Sequence, residues 1–277
     1  MIKISNILKV FSQLYNRYNK LGFEIYGSYS PLLNVYWPSN YVVKKNKLTC
    51  TSGGLANDEM FIMYPILTTL KPKNILIIGN AYGISTLFIS LSLEKAKVVA
   101  LDKYRTKGIS ITKKLLRGLK NKHIIKASTP DNLEKIIKKY FNNKLDMVFV
   151  DAVHTNEVQT KEFLIYEKYL TNNSIVFFHD VIACNLFKSY FYLKKKYKNY
   201  SFKFLNKSSN GIAVCLKKKP YKKIEKYLKF FSTEKSKTSS FIKYINFVNR
   251  GYKYTEKYFI NSKKNKKKFY TPKHPQL

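Results

Sequence analysis

The sequence predicts a doubly wound α/β fold: a mostly parallel, seven-stranded sheet with helices on both faces and its last strand antiparallel. Two observations carry this. Through the middle of the chain, five short apolar runs are separated by stretches of helical periodicity, the pattern of βαβ units and a parallel sheet. Two further runs, Tyr200–Leu205 and Gly211–Leu216, are joined by a short polar turn at 206–210, and so short a connection makes them an antiparallel hairpin.

The first strand is read over Asn74–Ile78. After Gly83 a helix follows, with Ile84, Leu87, Phe88 and Leu91 in step. Lys97–Leu101 is the second strand and ends at Asp102. His123–Ala127 is the third, leading into Thr129-Pro130, which reads as an N-cap and first helical turn. The next helix carries Leu133, Ile136, Ile137, Tyr140 and Phe141 on one face. Leu145–Val150 is the fourth strand, and a helix runs from about Asn156 to Leu170. Ser174–Phe178 is the fifth, and its helix aligns Leu186, Tyr190, Leu193 and Tyr197.

Outside this core, residues 1–50 read as an N-terminal helical and loop extension, with Ile4, Ile7, Leu8, Phe11 and Leu14 on one helix face. Trp37 and the Thr51–Gly54 loop are read as core, or as a cover over the carboxyl ends of the strands. Residues 51–219 form the main domain. Residues 220–260 form a C-terminal helical extension with two amphipathic stretches, and 261–277 is a basic tail of disordered composition. No run approaches the roughly 20 apolar residues that span a bilayer, and Met1–Tyr15 does not read as a signal peptide. The cysteines Cys50, Cys184 and Cys215 fall singly, which suits a reducing compartment and a cytoplasmic protein.

The formal charge of +36 raises a nucleic-acid partner, but 48 of the 52 basic residues are Lys and four are Arg. A surface that reads bases or clamps phosphates in fork geometry is richer in Arg. What remains is a weak, unspecific attraction to anionic surfaces.

Ligands of open α/β sheets sit beyond the carboxyl ends of the strands, and the chemistry-bearing residues fall there. Gly79-Asn80-Ala81-Tyr82-Gly83 turns from the first strand into its helix, where small residues let a ligand approach the backbone, and Ser85 opens the helix. Asp102 ends the second strand, about 20 residues on, where a carboxylate can accept both hydroxyl protons of a ribose. Asp151 and Asp180 follow the fourth and fifth strands, which as neighbours would start these side chains about 5 Å apart. Two such carboxylates can hold a hard divalent cation, with His179 as an extra ligand. His154, three residues past Asp151, is suited to accept a hydroxyl proton.

The runs Ile75–Thr86, Val99–Asp102, Asp146–His154 and Ile175–Val181 together resemble class I S-adenosylmethionine (SAM)-dependent methyltransferases. Within them they are most similar to the catechol-like and bacterial sugar O-methyltransferases. The resemblance covers about Thr51 to Lys217. It implies strand order 3-2-1-4-5-7-6, with the Gly79–Gly83 turn and Ser85 around the methionine part of SAM, Asp102 on the ribose, Ser128 bordering the adenine, and Asp151 on both cofactor and catalytic duty. It implies Mg2+ on Asp151 and Asp180, His154 as general base, and a sugar or other polyhydroxylated small molecule as acceptor. The chain departs from the family pattern at three places. Ile77 stands where many relatives have an acid, Ala127 lacks the acid that often ends the third strand, and His179 replaces a second acid before Asp180.

Two other functions share this fold. The charge motivates an RNA methyltransferase, against which no Asn-Pro-Pro-Tyr-type motif is found. A nucleotide-binding protein without the reaction is the other. A nicotinamide dehydrogenase fits neither the antiparallel ending nor the strand-end acids.

Overall fold

The structure is a computed structural model that describes residues 4–27, 39–44, 50–52, 54–103, 106–217 and 222–232. Its elements run α1 (Ile4–Lys20), β1 (Phe23–Tyr26), β2 (Tyr41–Lys44), β3 (Cys50–Ser52), α2 (Asn57–Leu70), β4 (Asn74–Ile78), α3 (Ile84–Ser92), β5 (Lys97–Asp102), α4 (Thr106–Leu115) and β6 (Lys122–Lys126). They continue as α5 (Leu133–Phe141), β7 (Leu145–Val150), α6 (Asn156–Tyr166), a short 3-10 turn, β8 (Leu170–Phe178), α7 (Phe187–Lys196), β9 (Ser201–Leu205), β10 (Ile212–Leu216) and α8 (Lys222–Phe231). Trp37, the stretch Phe241–Val248 and the basic tail lie outside the described residues.

The main sheet has seven strands in the order β6-β5-β4-β7-β8-β10-β9. That is the expected order, with β10 antiparallel to both of its neighbours and the other pairings of β4 to β8 parallel. Alternation along each strand sorts its side chains onto two faces. Ile75, Ile77, Val98, Ala100, Met147, Phe149, Ile175 and Phe177 join one buried cluster with α1, α2 and α3. On the other face α5, α6 and α7 pack in sequence, and Phe163 of α6 meets Phe178 and Phe202. A parallel strand covered on both faces must be apolar at every position, which is why β4 reads Ile-Leu-Ile-Ile.

Three expectations change. Helix α5 begins at Leu133 with Asn132 before it, so Thr129-Pro130 is a turn ahead of the helix and not its first turn. The helix after Asn156 stops at Tyr166, and the residues expected to complete it form the 3-10 turn and the start of β8, which begins at Leu170. Thr51 and Ser52 lie in β3, paired with β2 in a small antiparallel sheet, not in a loop. Helices α2 and α4 and strands β1 to β3 were not anticipated. Helix α1 packs on α3, and the Tyr18 hydroxyl donates to the carbonyl of Tyr82 at 2.7 Å, bracing the turn before α3. Among the described residues no helix is long and apolar enough to cross a membrane.

One buried acid sets a pH dependence of stability. Glu162 on α6 is buried and accepts a hydrogen bond from Thr129. Burial pushes its carboxyl up to about 7, against that hydrogen bond. A carboxyl raised on folding favours the native state while it is protonated there. Its contribution is therefore complete below the unfolded value near ~4.3 and is lost as pH climbs through about 7. Glu162→Gln is expected to flatten this decline, leaving the variant up to about 3 kcal/mol better off relative to wild type at pH 8 than at pH 4. Urea unfolding across that range measures it, and parallel pH profiles for the two proteins would refute it.

Candidate active site

The expected residues converge at the carboxyl end of the parallel strands, where main-chain bonds continue the ladder into the loops. Asp151 N–H donates to Ile78 O at 2.7 Å, His179 N–H to Val150 O at 3.0 Å, and Gly79 N–H to Leu101 O at 3.0 Å. These bonds fix the first residue after each strand. Strand parity then decides which side each takes: Asp151 and His179 share the face of Phe149 and Phe177, toward α2 and α3.

The Gly79–Gly83 turn is built tightly. Gly79 has φ +96°, and a Cβ there would lie 1.9 Å from the carbonyl oxygen of Asp151. Gly83 has φ +91°, and its Cβ would lie 2.3 Å from Thr112 Oγ1. Both glycines are thus required by packing of backbone and helix α4, before any ligand is considered. The Asn80 side chain is occupied inside the protein, accepting from Thr86 Oγ1 at 2.8 Å and donating to Thr112 Oγ1 at 2.9 Å. Asp102 reaches across from β5, and its Oδ2 accepts the N–H groups of Asn80 at 3.2 Å and Ala81 at 2.9 Å. Ser85 is buried at the start of α3, and a Cβ on Gly54 would come within 2.7 Å of its Oγ and 3.6 Å of Asp151 Oδ2. Residue 54 therefore closes over the turn and the first acid. Ser128, beyond β6, accepts a hydrogen bond from Asn132 Nδ2 at 3.1 Å.

The acids and histidines form one cluster. His154 Nε2 lies 3.3 Å from Asp151 Oδ1 and 3.4 Å from Asp180 Oδ2. His179 Nδ1 lies 3.1 Å from Asp151 Oδ1 and 3.2 Å from Asp180 Oδ1. His154 is the accessible member, with 36% of its side chain exposed against 3% for His179. Asp180 takes φ +56°, a left-handed conformation that Asp tolerates better than most residues and that turns the chain back at the site. The electrostatics follow from this crowding. Burial disfavours a charged His154, but Asp151, Cys184 and Asp180 outweigh it and hold the ring up to about 11. Burial likewise opposes charge on His179, and Asp180, Glu59 and Asp151 overcome it and raise its pKa well above the usual imidazole range. Burial also works to raise the Asp151 carboxyl, yet the two histidines win and hold it well below the ordinary carboxylate range.

One member was not foreseen. Glu59, fully buried in the first turn of α2, accepts from His179 Nε2 at 2.7 Å. The same carboxylate takes the Ala56 N–H at 3.0 Å, the Asn210 N–H at 3.1 Å and Asn210 Nδ2 at 3.2 Å. An Asp58-Glu59 pair is a helix-start signal. That signal marks where α2 begins, but nothing in it says that the second acid faces inward.

The cluster can hold a metal ion. One ligand atom each from Asp151, His179 and Asp180 lie within 4.8 Å of one another. Asp180 Oδ1 is buried and accepts no hydrogen bond among the described residues, as expected of an oxygen that serves a cation. Two carboxylates and an imidazole are a fitting donor set for a divalent ion.

Residues 76–181 match the family model described as a methyltransferase domain. No curated protein is similar in sequence. Among solved structures, the chain is similar to an O-methyltransferase from Bacillus cereus in complex with SAH, with TM-score 0.52, 14% identity, and coverage of 78% of this chain and 92% of that one. A Klebsiella pneumoniae protein described as an O-methyltransferase is similar with TM-score 0.52 and 12% identity over 75% of this chain and 89% of the other. At these identities the two likenesses bear on the fold.

Proposed function

We propose that the chain is a class I, SAM-dependent methyltransferase, a reading supported by the methyltransferase-domain match over residues 76–181, and that it methylates a hydroxyl oxygen of a small polyhydroxylated acceptor such as a sugar, with a divalent cation assisting. The observation that carries this reading is the meeting of Asp151, His154, His179 and Asp180 beside the Gly79–Gly83 turn. Oxygen as the acceptor atom also draws on the description of the two neighbouring structures as O-methyltransferases. In this reading residues 51–219 are the catalytic domain, with 1–50, 220–260 and 261–277 as additions. The thiols of Cys184 and Cys215, both free, suit the reducing cytoplasm.

SAM supplies an electrophilic methyl group, so the protein's main task is to align the acceptor oxygen with it. The backbone of Gly79, Asn80, Ala81, Tyr82 and Gly83, with Ser85, would border the methionine part. Asp102 would take the ribose while its other contacts hold the turn, and Ser128 would border the adenine. Asp151, His179 and Asp180 would hold the cation, Mg2+ by resemblance, which when bound polarises a hydroxyl and lowers its pKa. His154 would take up the acceptor's proton at Nε2. Asp151 and Asp180 stand on either side of that nitrogen and favour a proton on it. Neutralising those two carboxylates would free the ring to act as a base.

Titration calorimetry with SAM tests the reading. Saturable one-to-one binding is expected, and no heat of binding at millimolar SAM would overturn it. Asp102→Ala is expected to weaken SAM binding by about 10- to 100-fold, the worth of a charged hydrogen bond plus the loosened turn. Unchanged affinity in that variant would remove Asp102 from the cofactor site.

A further inference from the structure

The ring of His179 sits between acids on both sides, and the donor count leaves one of its nitrogens unaccounted for. Glu59 Oε2 lies 2.7 Å from Nε2, inside the protein, and fixes that nitrogen as a donor. Nδ1 then faces two carboxylate oxygens, Asp151 Oδ1 at 3.1 Å and Asp180 Oδ1 at 3.2 Å. A bare lone pair aimed at two anions is repulsive, so a positive centre belongs on that side of the ring. Two candidates exist, a proton or a metal ion. A single N–H can point at only one of the two oxygens, and among the described residues Asp180 Oδ1 accepts no hydrogen bond although 94% of its side chain is buried. A metal ion can serve all three atoms at once. A carboxylate behind a ligating imidazole is also the usual way of fixing the ring and raising its basicity.

Resting on the metal-assisted reading above, we propose that His179 is a direct metal ligand through Nδ1, held from behind by Glu59, and that this nitrogen-containing site takes a transition-metal ion such as Mn2+ in preference to Mg2+. An imidazole nitrogen suits the softer first-row ions, whereas Mg2+ favours oxygen and retains its waters. The residue that departs from the family pattern, His179 in place of an acid, is the one that changes the donor set. Glu59 comes from a different element, 120 residues earlier in the chain.

The test is pulsed EPR on the full-length protein loaded with Mn2+, which reads nitrogen coordinated to the ion without reference to activity. A nitrogen coupling is expected in the wild type, retained in His154→Gln and abolished in His179→Gln. Glu59→Gln keeps one carbonyl oxygen, which can stand in for Oε2 toward Ala56 N–H and Asn210 Nδ2 but leaves the Asn210 N–H without its acceptor, and it is expected to weaken Mn2+ binding by about 10- to 100-fold. Competition should show Mg2+ displacing Mn2+ only at large excess. Mn2+ bound without nitrogen coupling in the wild type, which needs no variant to fold, would overturn the inference and leave an all-oxygen metal site standing. Coupling that vanishes in His154→Gln and persists in His179→Gln would assign the nitrogen to the other histidine and overturn it as well. No Mn2+ binding at millimolar concentration would sink both this inference and the metal-assisted reading, while SAM calorimetry would still report on the methyltransferase reading by itself.

Discussion

Gly79→Ala is expected to cost at least about 3 kcal/mol of folding stability, because strain and collision act together there. With φ at +96°, any L side chain is strained at this position. The added Cβ would lie 1.9 Å from Asp151 O, 2.4 Å from Asp151 C and 2.9 Å from Ala152 N. These are backbone atoms, tied to the sheet by the Asp151 N–H to Ile78 O bond, so no side chain can swing aside. Relief would require β4 and β7 to separate at the end that carries the site. Gly118 supplies the control. It also has positive φ, +81°, but nothing lies within 4 Å of its Cβ position. Gly118→Ala should show only the conformational strain, about 1–2 kcal/mol. Denaturant unfolding of both variants separates the two contributions, and equal losses would mean that the β4–β7 contact yields more easily than the geometry allows.

His154→Ala is expected to lower kcat by about 10²- to 10⁴-fold, the usual worth of a positioned base, with SAM affinity within about twofold of wild type. The separation follows from where the ring stands. His154 lies on the loop after β7, is partly exposed, and touches Asp151 and Asp180. The Gly79–Gly83 turn is held instead by Asp102, Thr86, Thr112 and Tyr18. Removing the ring leaves those bonds intact. Steady-state kinetics on an identified acceptor, with calorimetry for SAM, gives the two quantities. Parallel loss of turnover and SAM affinity would make His154 a structural part of the cofactor site, and full turnover would remove it from the proton-transfer role.

What could be read in advance follows the range of the forces involved. The centre of the sheet is legible because strands buried on both faces, β4, β5, β7 and β10, read as apolar runs, and that is a local pattern. Asp102 and Asp151 are legible because each directly follows such a run, and Asp180 because it comes one residue after β8, behind His179. The start of α5 was misplaced because Thr129-Pro130 carries an N-cap signature, whereas the chain makes a further turn before Leu133. Helix α2 is not legible in the sequence because it is apolar almost all round and contains Pro65, so it shows no amphipathic period to count.

Local pattern alone establishes the seven strands of the main sheet and most of the helices between them, the strand-end positions of Gly79, Asp102, Asp151 and Asp180, and the presence of His154 near them. Each of these depends on residues close together in the chain. Packing across the fold settles why Gly79 and Gly83 must be glycine, since the colliding atoms belong to Asp151 and Thr112. It alone brought Glu59 to His179, because that pairing depends on strand parity and on the docking of a helix from far upstream. The family pattern places the acids, and Glu59, reaching His179 from the first turn of α2, is the partner that makes His179 a candidate ligand.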